Sequence, residues 1–179
     1  MCLNGCSKRG KCVRNWCHCD AGYYGVDCSL GAPADGGAAV PLPPPIGAQG
    51  AGAPRIYVYE LPPRFNSWLH AGEGGWWQDF DLWGEDVIIH RRALRSAYRV
   101  TDASQADFFL VPVWVSSAMW QMNWGFRDLL PTGVRTVKRL TEYLQATWPY
   151  FDRNGGADHI WVFGHDQGGW RIRQKLPLI

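Results

Sequence analysis

The chain has 179 residues, 46% of them hydrophobic, and a formal net charge of +2. This length allows one ordinary domain with a smaller unit beside it, and the near-neutral charge without long Lys/Arg runs argues against nucleic-acid binding. The longest apolar run, Phe108 to Val115, covers eight residues, whereas a helix needs about 20 to cross a bilayer.

The N-terminal stretch contains all six cysteines, which lie between positions 2 and 28. So short a stretch cannot build a hydrophobic core, and disulfides, each contributing roughly 2–4 kcal/mol by restricting the unfolded chain, must stabilise it. Six cysteines allow many pairings, and spacing alone does not choose among them. A zinc site is the alternative, but Cys17 and Cys19 are separated by one residue, fewer than zinc knuckles use.

Disulfides require an oxidising compartment, so the cysteines predict a secretory or extracellular protein. No signal segment with basic and apolar regions precedes Cys2, and we therefore expect the natural N-terminus to lie upstream of Met1. A cytosolic protein with reduced cysteines is the alternative interpretation.

The cysteine spacing, with Gly22-Tyr23-Tyr24-Gly25 between the last two cysteines, resembles that of EGF-like modules. The glycines suit a tight turn with positive φ. The resemblance implies the pairs Cys2–Cys12, Cys6–Cys17 and Cys19–Cys28. Calcium-binding modules of this kind carry acidic residues ahead of the first cysteine, and only Met1 stands there, so we expect a structural module or spacer over residues 1–30.

Residues 31–54 are dominated by Gly, Ala and Pro. Such a composition cannot bury enough apolar surface to fold, and its proline cluster favours extended polyproline geometry. The segment therefore predicts a linker that separates the small module from a domain over residues 55–179.

Beyond the linker, apolar patterns predict strands and helices in alternation. The predicted strands cover residues 55–60, 107–115 and 159–166, and the predicted helices cover residues 85–100, 116–130 and 132–148, with Pro131 ending the second. The last residues of the chain show no obvious closing helix. Alternation of apolar strands with helices is typical of a parallel sheet covered by helices, so we predict a Rossmann-like α/β fold.

Three stretches of this region carry a resemblance to a known family. They are "IYVYELPPRFN" (56–66), "SAYRVTDASQADFFLVPVW" (96–114) and "WPYFDRNGGADHIWVFGHDQGGW" (148–170). Together, and in this order, they resemble the exostosin family of glycosyltransferases found in plants and green algae. They cover most of residues 55–170.

The resemblance implies a GT-B enzyme with two Rossmann-like halves, of which the N-terminal half faces the acceptor glycan and the C-terminal half binds the nucleotide-sugar donor. It implies inverting sugar transfer in the synthesis of cell-wall or matrix glycans, with no cofactor besides the donor as co-substrate. Members are generally membrane-anchored proteins of the Golgi lumen, and some carry an EGF-like module. This sequence lacks the anchor and the donor-binding half, so we expect residues 55–179 to be a truncated acceptor-side half.

Candidate site residues follow the predicted strands, because ligands of open α/β sheets bind beyond the carboxyl ends of the strands. His165 and Asp166 are the candidate catalytic residues, since imidazole and carboxylate groups can take a proton from an acceptor hydroxyl. The alternative is structural: Asp166 caps a turn and His165 binds a backbone carbonyl. The candidate substrate-binding residues are Glu60, Arg64, Asn66, Gln167, and the sugar-stacking Trp76 and Trp77. For Arg64, a surface salt bridge is the alternative.

Other polar and aromatic groups have simpler interpretations. Asp79, Asp81, Glu85 and Asp86 could supply a base or bind a metal, but a solvated loop is the simpler interpretation and no metal site is predicted. Asp158 precedes the third strand and His159 begins it, at the wrong edge for a ligand, and both are predicted to be structural. Trp148 and Trp161 follow the apolar patterns of a helix and a strand and are predicted to pack in the core.

Two functions from different classes are compatible with these features. The first is a glycosyltransferase or its acceptor-side half. The second is a non-catalytic module that binds a glycan or a protein in the lumen or outside the cell. A nonfunctional gene fragment is a third interpretation.

Overall fold

The computed structural model of the protein describes residues 2–47, 50–70, 84–122, 129–164 and 168–176. A disulfide-bonded N-terminal module is followed by an α/β unit built on a four-stranded parallel sheet. The predicted fold class is therefore confirmed.

The N-terminal module contains two small antiparallel sheets. Strand β1 (Gly10–Val13) pairs with β2 (Trp16–Cys19), and β3 (Tyr23–Tyr24) pairs with β4 (Leu30–Gly31), after a short 3-10 segment at Leu3–Lys8. Gly22 and Gly25 have φ of +88° and +92°, as the turn pattern predicts.

All six cysteines form disulfides. The pairs are Cys2–Cys12, Cys6–Cys17 and Cys19–Cys28, the same pairs that the EGF resemblance implies. The sulfur atoms of Cys2, Cys6 and Cys17 lie within 4.8 Å of one another, but as disulfide sulfurs they are not the thiolates that zinc requires.

The parallel sheet contains the three predicted strands side by side. Its strands are β5 (Ile56–Val58), β6 (Arg99–Val100), β7 (Phe108–Val111) and β8 (His159–Trp161), in the order β6-β5-β7-β8. Each neighbouring pair is parallel. Strand β6 is not predicted by the sequence, because two residues are too few to show alternation.

Within the described ranges, four α-helices connect and cover the strands. They are α1 (Glu85–Ala93), α2 (Val115–Met122), α3 (Leu129–Thr147) and α4 (Gly168–Lys175), with 3-10 turns at Pro63–Phe65, Ser67–His70, Ala103–Gln105 and Asp152–Asn154. None of these helices is long and apolar enough to cross a membrane.

Three helix predictions are wrong in detail. Helix α1 ends at Ala93 because the residues that follow lead into β6. Pro131 is the third residue of α3 rather than a terminator, since near a helix start the N–H that proline lacks would have no partner anyway. Helix α4 occupies the region where no closing helix was expected, and its Ile172 is fully buried.

The two faces of the sheet pack against different elements. Alternation along β7 sends Phe109 and Val111 to one face and Leu110 to the other. The first face packs against α3 and α4, through Val137, Leu140, Leu144 and Ile172, with Trp148 and Trp161 at its margin. The second face packs against α1 and also against Leu3 of the N-terminal module.

The predicted linker makes defined contacts with the units on both sides of it. The Arg9 guanidinium donates hydrogen bonds to the carbonyl oxygen of Val40, with Nε at 2.8 Å. Ile46 forms a parallel bridge with Ser96 beside the main sheet. Composition predicts a spacer, but these contacts tie the segment to the module and to the α/β unit.

Candidate functional site

The strand order places a topological switch point between β5 and β7. The chain runs from β5 to β6 on one side of β5 and returns to β7 on the other side. In open α/β sheets, ligands bind at such a point, outside the carboxyl ends of the strands. The N-terminal ends of α1 and α2 meet at this edge of the sheet.

Asp86 joins the starts of these two helices. Its Oδ2 accepts a hydrogen bond from the backbone N–H of Ser116 at 3.1 Å, and its Oδ1 accepts one from Val87 at 2.9 Å. A carboxylate in this position caps the otherwise unpaired N–H groups of α2 and is favoured by the helix dipole. Burial raises the pKa of Asp86 to about 7, against the opposing effect of the backbone N–H groups that it accepts.

Glu85, Ser116 and Gly164 come together beside this cap. Oε2 of Glu85 and Oγ of Ser116 are buried and have no hydrogen-bond partner among the residues that the structure describes. A Cβ added to Gly164, just after β8, would overlap Oε2 of Glu85 and lie 3.3 Å from Oγ of Ser116. Because a buried polar atom without a partner costs roughly 1–3 kcal/mol, such atoms are rare, and two of them at the switch point mark a candidate ligand site.

His90 lies one helical turn beyond Asp86 and is almost completely buried. Its Nδ1 accepts a hydrogen bond from the indole N–H of Trp114 at 3.3 Å, which assigns the proton of the neutral ring to Nε2. Within the described ranges, Nε2 has no partner. Burial lowers the pKa of His90 to about 3, and the charge of Arg99 adds to the effect.

Five of the predicted site residues lie outside the described residues. They are the catalytic candidates His165 and Asp166, and the substrate-binding candidates Gln167, Trp76 and Trp77. Their roles stay predictions. Their described neighbour Gly164 belongs to the site.

Glu60 contacts the N-terminal module instead of the switch point. Its Oε2 accepts a hydrogen bond from the backbone N–H of Val26 at 3.0 Å, and its Oε1 lies 3.6 Å from a guanidinium nitrogen of Arg99. Burial raises the pKa of Glu60, against the opposing effects of Val26 and Arg99. These contacts give Glu60 a structural role, the attachment of the module to the sheet, as the alternative to the predicted role in substrate binding.

Asn66 is buried and ties together the loops on both sides of the switch point. Its amide nitrogen donates to the carbonyl of Pro112 at 3.2 Å, and its amide oxygen accepts from the backbone N–H of Ser67. The backbone N–H of Trp114 also donates to the carbonyl of Phe65 at 3.0 Å. The geometry favours a positioning role for Asn66 over direct contact with a sugar.

Asn66→Ala is accordingly expected to lower the free energy of unfolding by about 1–3 kcal/mol, because buried groups of Pro112 and Ser67 lose their partner. Urea unfolding followed by tryptophan fluorescence measures the effect. Asn154→Ala, in an exposed turn, is the control and should change stability by less than about 0.5 kcal/mol. An Asn66 variant as stable as wild type would contradict the positioning role.

Arg64 is the described substrate-binding candidate that is exposed. Its guanidinium carbon lies 4.7 Å from the ring centroid of Phe65 and 5.7 Å from that of Tyr143. Among the described residues it forms no salt bridge. It is thus an exposed cation held against two aromatic rings, with its charge accessible from solvent.

Asp158 and His159 form a structural network, as predicted. The ring Nδ1 of His159 donates to Asp158 at 2.8 Å, and the hydroxyl of Tyr59 donates to Nε2 at 2.9 Å. Burial lowers the pKa of His159, whereas hydrogen bonds from Arg153 and His159 outweigh burial and lower the pKa of Asp158. The network fastens β8 to β5 inside the core.

Sequence patterns suggested Glu85 only as a member of a carboxylate-rich loop and did not connect it with Ser116 or Gly164, and His90 was missed. The only available signal was the spacing of Asp86 and His90, which places both on one helical face. No local pattern shows that this face meets the start of α2 and the residue after β8.

Comparison with known proteins identifies the family. The exostosin GT47 domain matches residues 51–177, which include the whole parallel sheet. The chain is 31% identical over 112 residues to the probable glucuronosyltransferase GUT1 of Oryza sativa subsp. japonica, covering 63% of this chain and 26% of that protein. It is 36% identical over 121 residues to a probable glucuronoxylan glucuronosyltransferase of Arabidopsis thaliana, covering 64% of this chain and 24% of that protein.

A third relative is the probable beta-1,4-xylosyltransferase IRX10 of Arabidopsis thaliana, 29% identical over 121 residues, covering 64% of this chain and 26% of the relative. The chain spans about a quarter of the length of the curated relatives it matches. No solved structure matches significantly. Since the GT47 match extends over residues 51–177, well over half of the sequence, the chain belongs to the exostosin GT47 family.

Proposed function

We propose that the chain forms the acceptor-binding side of a glycosyltransferase that moves a sugar, with inversion, from a nucleotide sugar to a cell-wall or matrix glycan. Family membership supports this proposal, and the named activities of its relatives are glucuronosyl and xylosyl transfer. In this proposal residues 1–30 are a module, residues 31–54 a connecting segment and residues 55–179 the N-terminal Rossmann-like unit of a GT-B enzyme.

The observation that carries the proposal is the group of buried polar atoms at the switch point. Inverting transfer needs a base for the acceptor hydroxyl and hydrogen-bonding groups that orient the sugar. Glu85 and Ser116 offer an unpartnered carboxylate oxygen and an unpartnered hydroxyl, as far as the described residues go, beside Gly164. We assign these two atoms to an acceptor hydroxyl and Arg64 to an acidic acceptor group, and we keep His165 and Asp166 as the proposed catalytic residues.

The proposal also covers the donor and the compartment. Donor binding is assigned to a second α/β half of the enzyme, because the matched segment makes up only about a quarter of the relatives. No cofactor besides the nucleotide sugar, and no metal, is included. The lumenal face of the Golgi is the proposed location, in agreement with the disulfides of the module.

A xylo-oligosaccharide assay tests the proposal. The protein is incubated with UDP-glucuronic acid or UDP-xylose, acceptor-dependent UDP release is measured, and acceptor binding is followed separately by calorimetry. Acceptor binding supports the proposed site, and its absence contradicts it. Transfer also needs the donor-binding half, so binding without transfer supports the non-catalytic alternative only when that half is present in the assayed protein.

Within an active protein, Glu85→Gln is expected to lower kcat/KM about 10- to 100-fold, the loss expected for a hydrogen bond to a charged group. The matched control is Glu142→Gln, an identical change on the exposed surface of α3, which should leave kcat/KM unaltered. Equal activity of wild type and both variants would remove Glu85 from the site.

A further inference from the structure

We propose that the N-terminal module, residues 2–31, is a fixed cover of the parallel sheet, so that the fold of the α/β unit depends on oxidation of the module's cysteines. The inference concerns the second face of the sheet and stands without the proposed transferase activity.

The module supplies apolar atoms that the sheet would otherwise lack on its second face. Leu3 is buried in one cluster with Val58 and Leu110 of the sheet and Val87 of α1, and Val26 packs against the same cluster. A parallel sheet needs both faces covered. Helix α1 is only nine residues long and α2 contributes Ala118 to the same cluster, so the module covers the part of this face that lies beside these two helices.

Polar contacts fix the module at the ends of two neighbouring strands. Beside the Val26–Glu60 hydrogen bond, Nη1 of Arg99 in β6 donates to Oγ of Ser29 at 2.8 Å. The Glu60 and Arg99 side chains are largely buried under the module. Removing the module would leave Glu60 without its N–H donor and would expose the ion pair to water.

A second set of contacts holds the module in its place. The amide nitrogen of Asn4 donates to Oδ2 of Asp27 at 2.7 Å within the module and lies 3.4 Å from the carbonyl oxygen of Arg91 in α1. Arg9 binds the connecting segment at Val40, and Ile46 of the same segment bridges to Ser96. The segment therefore works as a strap that keeps the module close to the sheet.

The disulfides are the reason why these contacts depend on oxidation. The module's own buried cluster consists of Cys2, Cys6, Cys17, Cys28 and Tyr23. A stretch of this length without cross-links cannot hold a fixed shape. Reduction would therefore release Leu3 and Val26 from the sheet as well as unfolding the module.

Hydrogen exchange of the full chain, folded first and then reduced under native conditions, tests the proposal. Amides of β5 and of β7, far in sequence from every cysteine, are expected to exchange about 100-fold faster after reduction, because local opening of this face becomes easier. Unchanged protection of β5 and β7, together with fast exchange in the reduced module, would show that the sheet folds independently of the module and would overturn the inference.

Leu3→Ala gives a second measurement that leaves every cysteine in place. It is expected to accelerate exchange in β5 and β7 of the oxidised protein about 10-fold, whereas Leu42→Ala, at an exposed position of the strap, should have no effect. If Leu3→Ala leaves β5 and β7 unchanged, Leu3 does not cover the sheet and the proposal fails, even where the reduced protein unfolds as a whole.

Discussion

His90→Gln is expected to make the protein more resistant to acid than wild type. Between pH 6.5 and pH 4, wild type should lose about 3 kcal/mol more of its free energy of unfolding than the variant. Glutamine does not titrate in this range, and its amide oxygen can still accept the hydrogen bond from Trp114.

The sign follows from the direction of the pKa shift. Burial lowers the pKa of His90 from 6.5 in the unfolded chain to about 3 in the fold. Below pH 6.5, His90 binds a proton in the unfolded chain but stays neutral in the folded chain. His90 therefore favours unfolding progressively as the pH falls towards 3. Asp86, whose pKa is raised to about 7 by burial, acts in the opposite direction. Both proteins keep Asp86, so its effect cancels in the difference between them.

Urea unfolding of both proteins at pH 7, 6, 5 and 4 provides the measurement. His18→Gln, at the exposed position of strand β2, is the matched control and should follow the wild-type curve. Parallel pH curves for wild type and the His90 variant would mean that His90 becomes protonated inside the fold, contrary to its burial.

Phe109→Ala is expected to lower the free energy of unfolding by about 3–5 kcal/mol, the usual cost of removing a buried aromatic ring. Phe109 is 0% exposed. Its ring stacks on Tyr150 at 5.1 Å and on His159 at 5.0 Å, and the guanidinium of Arg153 lies 4.6 Å from its centroid. The cavity would open where β5, β7 and β8 meet.

The neighbouring residue provides the control for this prediction. Phe108 is 41% exposed on the opposite side of β7, and Phe108→Ala should cost less than about 1 kcal/mol. Chemical denaturation at one pH compares the two variants. Equal losses for Phe108→Ala and Phe109→Ala would contradict the side assigned to each ring.

The site residues were harder to predict from the sequence than the strands. Apolar runs and helical stripes are local signals, and they placed β5, β7 and β8 within a few residues of their positions. Glu60 follows β5 as expected, yet its carboxylate faces the module, because the partner Val26 comes from 34 positions earlier in the chain. A strand end predicts the edge on which a side chain lies, and distant segments decide what it contacts.

The sequence alone was enough to predict an α/β protein of the exostosin type with a cross-linked N-terminus, because periodicity, cysteine spacing and family motifs are local features of the chain. Only the tertiary structure shows that Glu85, Ser116 and Gly164 lie together. It also shows that His90 is buried in the core and that Leu3 packs against the sheet. These contacts depend on how strands separated by tens of residues are ordered in the sheet, and no local pattern encodes that order.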